Sequence, residues 1–105
     1  MNRQIKLALI GAGNRGQGIF GQYALDMPHR AKFVAVVEPD QAKREQFAAV
    51  HGIAASQCFE NHEQLFAQAS SEIEGAVIAT LEDARMEPVL GAMRKNWHIL
   101  VEKPL

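Results

Sequence analysis

The sequence predicts an α/β fold: one parallel sheet with helices on both faces, an α-β-α stack of three layers. Three observations carry that expectation. Short apolar runs alternate with segments of helical period along the whole 105-residue chain. The runs are continuous rather than alternating and rich in Val and Ile, as strands buried on both faces require. The first run opens into Gly11-Ala12-Gly13-Asn14-Arg15-Gly16, a glycine turn set between a strand-like and a helix-like stretch.

Ile5 to Ile10 forms the first strand, interrupted only by Lys6. After the glycine turn, Gln17 to Met27 spaces Ile19, Phe20, Tyr23, Ala24 and Met27 as a helix does, and Pro28 marks its end. Gly18 and Gly21 lower its propensity but permit close approach to the sheet. Lys32 to Val37 is the second strand. Pro39 cannot continue a central strand, so the chain turns at Glu38-Pro39-Asp40. Asp40 then caps a helix from Gln41 to about Val50, with Phe47 and Val50 facing inward and His51-Gly52 closing it. Ile53 to Phe59 is irregular, with a short strand near Cys58-Phe59. Asn61 opens a helix through Ala69 that packs by Leu65 and Phe66. Gly75 to Thr80 is the next strand. A helix from about Asp83 to Lys95 follows, carrying Met86, Val89, Leu90 and Met93 on one stripe and Pro88 in its first or second turn. Trp97 packs against that helix. His98 to Val101 is the last strand and runs straight into Glu102-Lys103-Pro104-Leu105.

Composition narrows the function classes. Apolar residues at 48% and charged residues at 22% describe an ordinary globular domain. A net charge of −1 makes no electrostatic case for a nucleic acid or an anionic membrane as partner. No apolar run approaches the roughly 20 residues of a membrane span. The amino terminus lacks the long apolar core of a signal peptide. One cysteine, Cys58, excludes an internal disulfide framework, and a cytoplasmic location is expected. Cys58 has no base beside it in sequence and reads as a small apolar side chain. The spacing of His29, His51, His62 and His98 suggests no metal site.

Right-handed crossovers would gather the carboxyl ends of the strands along one edge, where open parallel sheets bind ligands. Gly11, Glu38, Thr80 and Glu102-Lys103 all fall at such ends. In a G-x-G-x-x-G turn the first glycine permits the tight exit, the second admits backbone amides to a pyrophosphate, and the third lets the helix pack close. Gly11, Gly13 and Gly16 fill those places, and the positive end of the helix then faces a dinucleotide's phosphates. Asn14 and Arg15 lie within the turn, and Arg15 is either solvated or laid over the diphosphate. Glu38, about 20 residues beyond Gly16, stands where an acid accepts hydrogen bonds from the adenosine ribose. Its plainer reading is a helix-initiating acid beside Pro39-Asp40. A carboxylate there repels a 2′-phosphate and favours NAD, while Lys43 and Arg44 one turn on keep NADP open. Thr80 to Asp83 either meets the nicotinamide ribose or caps the next helix. Lys103 sets an ammonium at the sheet edge, able to hydrogen-bond a reacting oxygen or to form a surface pair with Glu102.

GAGNRG after the first strand, VVEPD after the second, VIAT after the fourth and HILVEKPL at the end resemble the Gfo/Idh/MocA family of NAD(P)-dependent oxidoreductases. The likeness covers essentially the whole chain, and the EKP string is its most specific piece. It implies a Rossmann-type doubly wound parallel sheet binding NAD or NADP, followed in the family by a larger α/β substrate domain. It also implies hydride transfer between nicotinamide and a hydroxyl-bearing carbon of a sugar or polyol. Mapped on this sequence, the phosphate glycines are Gly11, Gly13 and Gly16, the ribose acid is Glu38, and Lys103 contacts substrate or nicotinamide ribose. The loop after the fourth strand departs from the family's T-P-N and later histidine: Thr80-Leu81-Glu82 stands there, with Arg85 near the histidine position and Glu87-Pro88 matching an acidic-loop subgroup. Residues 1–105 thus read as a cofactor domain that is incomplete at its carboxyl-terminal end and lacks the family's downstream acid and histidine. Alone it is expected to be inactive and to self-associate through that edge, with a homo-oligomer as the parent. A non-catalytic dinucleotide sensor is the alternative, and a fold relative that binds no nucleotide a third reading; the EKP lysine favours an enzyme.

Overall fold

The computed structural model describes residues 4–11, 22–27, 29–79 and 86–101. Five strands form one parallel sheet: β1 (Ile5–Ile10), β2 (Ala31–Val37), β3 (Cys58–Phe59), β4 (Gly75–Ile78) and β5 (His98–Val101). Their order is β3-β2-β1-β4-β5. The chain winds outward from β1 to β3, crosses back to β4 on the other side of β1, and continues to β5. That reversal is the doubly wound, Rossmann-type topology expected from the alternating elements. Helices α1 (Gln22–Asp26), α2 (Gln41–His51), α3 (His62–Gln68) and α4 (Met86–Arg94) lie between strands, with a 3-10 turn at Ala55–Gln57 before β3.

Strand alternation divides the core into two layers. Leu9, Phe33, Val36 and Val77 meet Ala24 of α1 and Phe47 of α2. Ala8, Ile10, Ala35, Val37, Ala76 and Ile78 meet Leu65 of α3 and Ala92 of α4. Both faces are therefore dry, which is why the central strands tolerate no polar alternation. One irregularity keeps the faces sorted. The β1 partner steps from Phe33 to Ala35 between Leu7 and Ala8, so Val34 is an extra residue in β2. Val34 packs toward the α3/α4 layer as Ala35 does, and Phe33 keeps the other face.

Helix ends follow the local chemistry. Asp40 caps α2 by accepting the Lys43 amide at 3.1 Å, and Gly52 closes it with φ 66°. Asn61 caps α3 by accepting the Gln64 amide at 2.9 Å. The end of α4 is a Schellman turn on Asn96, whose φ is 60°. There the Asn96 amide donates to the Met93 carbonyl at 3.0 Å and the Trp97 amide to the Ala92 carbonyl at 3.1 Å.

Several expectations need correction. β2 starts at Ala31, α3 stops at Gln68 and β4 at Ile78, each within a residue or two of the sequence reading. Ile5, at the amino end of β1, is 42% exposed. Val50 points outward at 52% exposure. The inward stripe of α2 runs through Phe47, Ala48 and His51, and Val50 lies about 100° round the helix from its centre. The stripe expected on α4 is reversed: Leu90 and Met93 face out, whereas Pro88, Gly91 and Ala92 are buried. Val89 packs at the margin of the core. The reason is steric, since a Cβ on Gly91 would run into the ring of Phe66. Small residues there let α4 settle against α3. Trp97 joins the α3/α4 layer and lies tilted on Phe66 with centroids 5.6 Å apart. Of the helix expected over 17–27, only Gln22–Asp26 falls among the described helical residues. Gly18, Ile19, Phe20, Gly21 and Pro28 lie outside the described residues, as do Leu81, Glu82, Asp83 and Arg85.

Candidate functional site

Three backbone hydrogen bonds stitch the carboxyl edge of the sheet together. The Glu38 amide donates to the Phe59 carbonyl at 3.0 Å, the Gly11 amide to Val37 at 2.8 Å, and the Ala79 amide to Ile10 at 2.8 Å. Glu38, Gly11 and Ala79 thus leave β2, β1 and β4 side by side. The winding reverses at β1, so the crevice that receives ligands in open α/β sheets opens here. Gly11 has φ 95°, a backbone state that side chains other than glycine rarely adopt. Its role as the tight exit from the strand has this conformation as its physical cause.

Glu38 is half-buried at the tip of β2. Its carboxylate accepts the Asp40 amide at 2.8 Å, bridging the Pro39 turn. Behind it, Arg44 reaches back from α2, and Nη1 donates to the Glu38 carbonyl at 2.7 Å and to the Pro39 carbonyl at 3.4 Å. By sequence alone, Arg44 stands beside Lys43 as a cation for a 2′-phosphate. The structure turns Arg44 into the turn, while Lys43 is exposed. Its reach back over six residues was the missed signal: the fourth residue of a capped helix lies one turn above the cap.

The site residues expected from sequence divide in two. Gly11 and Glu38 are brought to one edge by adjacent strands. Gly13, Asn14, Arg15, Gly16, Thr80, Glu102 and Lys103 lie outside the described residues. Their neighbours do set the frame: Ala79 ends the run from β4, and Val101 of β5 pairs with Ile78.

Other reactive side chains have structural surroundings. Cys58 packs against the α1/α2 layer, and its thiol donates to the Ala54 carbonyl at 3.5 Å. Burial pushes the Cys58 thiol up in pKa, against a smaller downward pull from Arg44. His51 stacks on Phe47 at 4.1 Å and meets Phe33 edge-on at 5.5 Å. Its burial holds the imidazole below its ordinary pKa. His62 Nε2 stands 3.4 Å from a Glu87 carboxylate oxygen. Among the described residues no group of three or more His, Cys, Asp or Glu could hold a metal ion, and no helix is long and apolar enough to cross a membrane.

The sequence profile of the oxidoreductase family with an NAD-binding Rossmann fold, Gfo/Idh/MocA, matches residues 5–105. The chain belongs to this family. Gfo/Idh/MocA proteins are oxidoreductases, and the part matched is their nicotinamide-dinucleotide-binding domain. Solved structures similar to the chain include an oxidoreductase from Thermotoga maritima, with a TM-score of 0.83 at 24% identity, covering 97% of this chain. A scyllo-inositol dehydrogenase from Lactobacillus casei gives 0.82 at 21% over 99% of this chain. The WlbA dehydrogenase of Chromobacterium violaceum, solved with NADH and UDP-GlcNAcA, gives 0.81 at 19% over 99%. Identities this low show the shared fold. The chain spans 30%, 30% and 28% of the length of those three proteins. Among proteins of curated function none matched.

Proposed function

We propose that the chain is the cofactor half of an NAD-dependent oxidoreductase that moves hydride between nicotinamide and a hydroxyl-bearing carbon of a sugar or polyol. One observation carries this: Gly11 and Glu38 stand side by side at the carboxyl edge, at the switch point of the sheet. The local geometry suits a dinucleotide. Gly11 takes the positive φ of a tight phosphate-turn entry, and Glu38 offers a carboxylate at the end of the neighbouring strand. A bound nicotinamide supplies the hydride donor or acceptor. The protein's own residues bind and orient. Gly13, Asn14, Arg15 and Gly16 are assigned with Gly11 to the diphosphate, Glu38 to the adenosine ribose hydroxyls and Thr80 to the nicotinamide ribose.

Lys103 is assigned the catalytic contact, hydrogen-bonding the reacting oxygen, with Glu102 beside it. Support comes from β5, which runs parallel to β4 and ends level with Ile78, two residues before Lys103. NAD is preferred over NADP because the Glu38 carboxylate would oppose a 2′-phosphate. The choice of sugars and polyols as substrate class takes its support from the inositol dehydrogenase and the UDP-GlcNAcA complex named above. In the same reading a substrate domain is joined to residues 1–105, and the whole protein is a cytoplasmic homo-oligomer. Leu100, 47% exposed on the outer strand β5, is apolar surface for such contacts.

Calorimetric titration with NADH and NADPH tests the cofactor reading. NADH should bind more tightly, and Glu38→Ala should remove at least tenfold of that affinity. Equal binding of NADH by Glu38→Ala would overturn the ribose assignment. For Lys103, Lys103→Met in the protein carrying its substrate domain should abolish turnover while NADH affinity stays.

A further inference from the structure

We propose that Arg44 is a positioning residue that sets NAD selectivity by bracing the turn that aims Glu38. The inference rests on the reading of Glu38 as the ribose acid and adds a second residue to it.

The turn between β2 and α2 presents two carbonyls, of Glu38 and Pro39, that no strand or helix ladder among the described residues uses. Arg44 Nη1 takes both, at 2.7 and 3.4 Å. Bonds from a guanidinium to a carbonyl are charge-assisted and stronger than neutral ones. Glu38 is consequently held by at least three bonds. Its amide is tied to Phe59 at 3.0 Å, its carbonyl to Arg44, and its carboxylate to the Asp40 amide at 2.8 Å. Arg44 is itself fixed at its root, because its amide donates to the Asp40 carbonyl at 2.9 Å in the first turn of α2. Arg44 is half-buried, and its positive charge acts on Cys58 at the start of β3.

Two consequences follow for selectivity. The ribose-facing carboxylate keeps one aim, so less order has to be imposed when a ribose hydroxyl arrives. And the cation that a sequence reader would give to a 2′-phosphate is spent on the protein's own carbonyls. A lysine at 44, with a compact ammonium in place of the fork, would brace one carbonyl poorly.

The test titrates NADH and NADPH into the full 105-residue chain and its Arg44→Met, Arg44→Lys and Glu38→Ala variants, each checked for an unchanged circular dichroism spectrum. Arg44→Met should weaken NADH about tenfold, the scale of one charge-assisted hydrogen bond, and leave NADPH unchanged, so the preference falls about tenfold. Arg44→Lys should lie between. Loss of NADPH affinity alone would mean that Arg44 binds the phosphate and would overturn the proposal. Equal loss of both would reduce Arg44 to a general structural role and overturn it as well. If Glu38→Ala weakens NADH but Arg44→Met does not, only the Arg44 proposal falls; if Glu38→Ala has no effect, the ribose reading falls with it. A ligand-free measurement stands beside these. Amide exchange at Asp40 should quicken at least tenfold in Arg44→Met while Val36 and Val37 keep their rates, and an unchanged Asp40 rate overturns the brace whatever the cofactors do.

Discussion

Helices α2 and α4 cover opposite faces of the same sheet with different side chains. Against α2 the layer is aromatic: Phe33 and Phe47 meet edge-on at 5.4 Å, and His51 stacks on Phe47. On α4 itself the buried residues are small, with Gly91 against the ring of Phe66 and Ala92 in the layer that holds Ala8, Ala35 and Ala76. A large inward residue keeps its helix at a distance, so α2 announces its buried face by Phe47. A helix that sits close to its neighbours must turn its smallest residues inward. Its large apolar ones, Leu90 and Met93, are left facing out. Hydrophobic periodicity therefore finds the buried face of the first kind of helix and misses that of the second.

The contrast can be broken from either side. The largest effect is expected from Phe47→Ala, which empties the aromatic layer and should cost about 3–5 kcal/mol in urea unfolding. On the close-packed side, Gly91→Leu should cost about 1–3 kcal/mol by overpacking against Phe66. Combining it with Phe66→Ala should recover part of that loss, a coupling that additive costs would disprove.

His51 gives the aromatic layer a pH dependence that the other side lacks a counterpart for among the pKa shifts described. Its folded-state pKa is lowered by burial, so the unfolded chain binds the proton more readily. Stability is then fully present above the unfolded value of about 6.5 and is lost as pH falls from there through the folded pKa. His51→Gln should flatten the midpoint-against-pH curve in that window; an unaltered slope would assign the acid sensitivity elsewhere. The smallest effects belong to the outward face of α4. Leu90→Gln and Met93→Gln should each change stability by less than about 0.5 kcal/mol. A larger loss for either would mean that this face is covered in solution.

Much of the fold was legible in the residues themselves. Strand identity followed from IKLALI, KFVAVV and GAVI because strands covered on both faces over most of their length read as nearly continuous apolar runs, with Lys6 and Lys32 near their amino ends. Asp40, Gly52 and Asn61 announced helix ends through bonds made within a few residues. The place of Glu38 at the tip of β2 was legible because Pro39 beside it cannot continue the strand. Arg44 was not, since its partner carbonyls depend on how α2 leaves the sheet. Val34 was equally hidden, because a bulge exists only relative to the strand beside it.

By itself, then, the sequence determined what short-range chemistry controls: which segments are strands, where helices begin and end, and that Gly11 and Glu38 fall at strand tips. The tertiary structure decided what depends on distance between elements. It set the inward face of α4, turned Val50 to solvent, and folded the Arg44 guanidinium under the Glu38 turn. The reason is physical. A cap or a strand propensity is satisfied by neighbours in the chain, whereas a buried face or a reach across a turn is fixed only once the packing distance between helix and sheet is set.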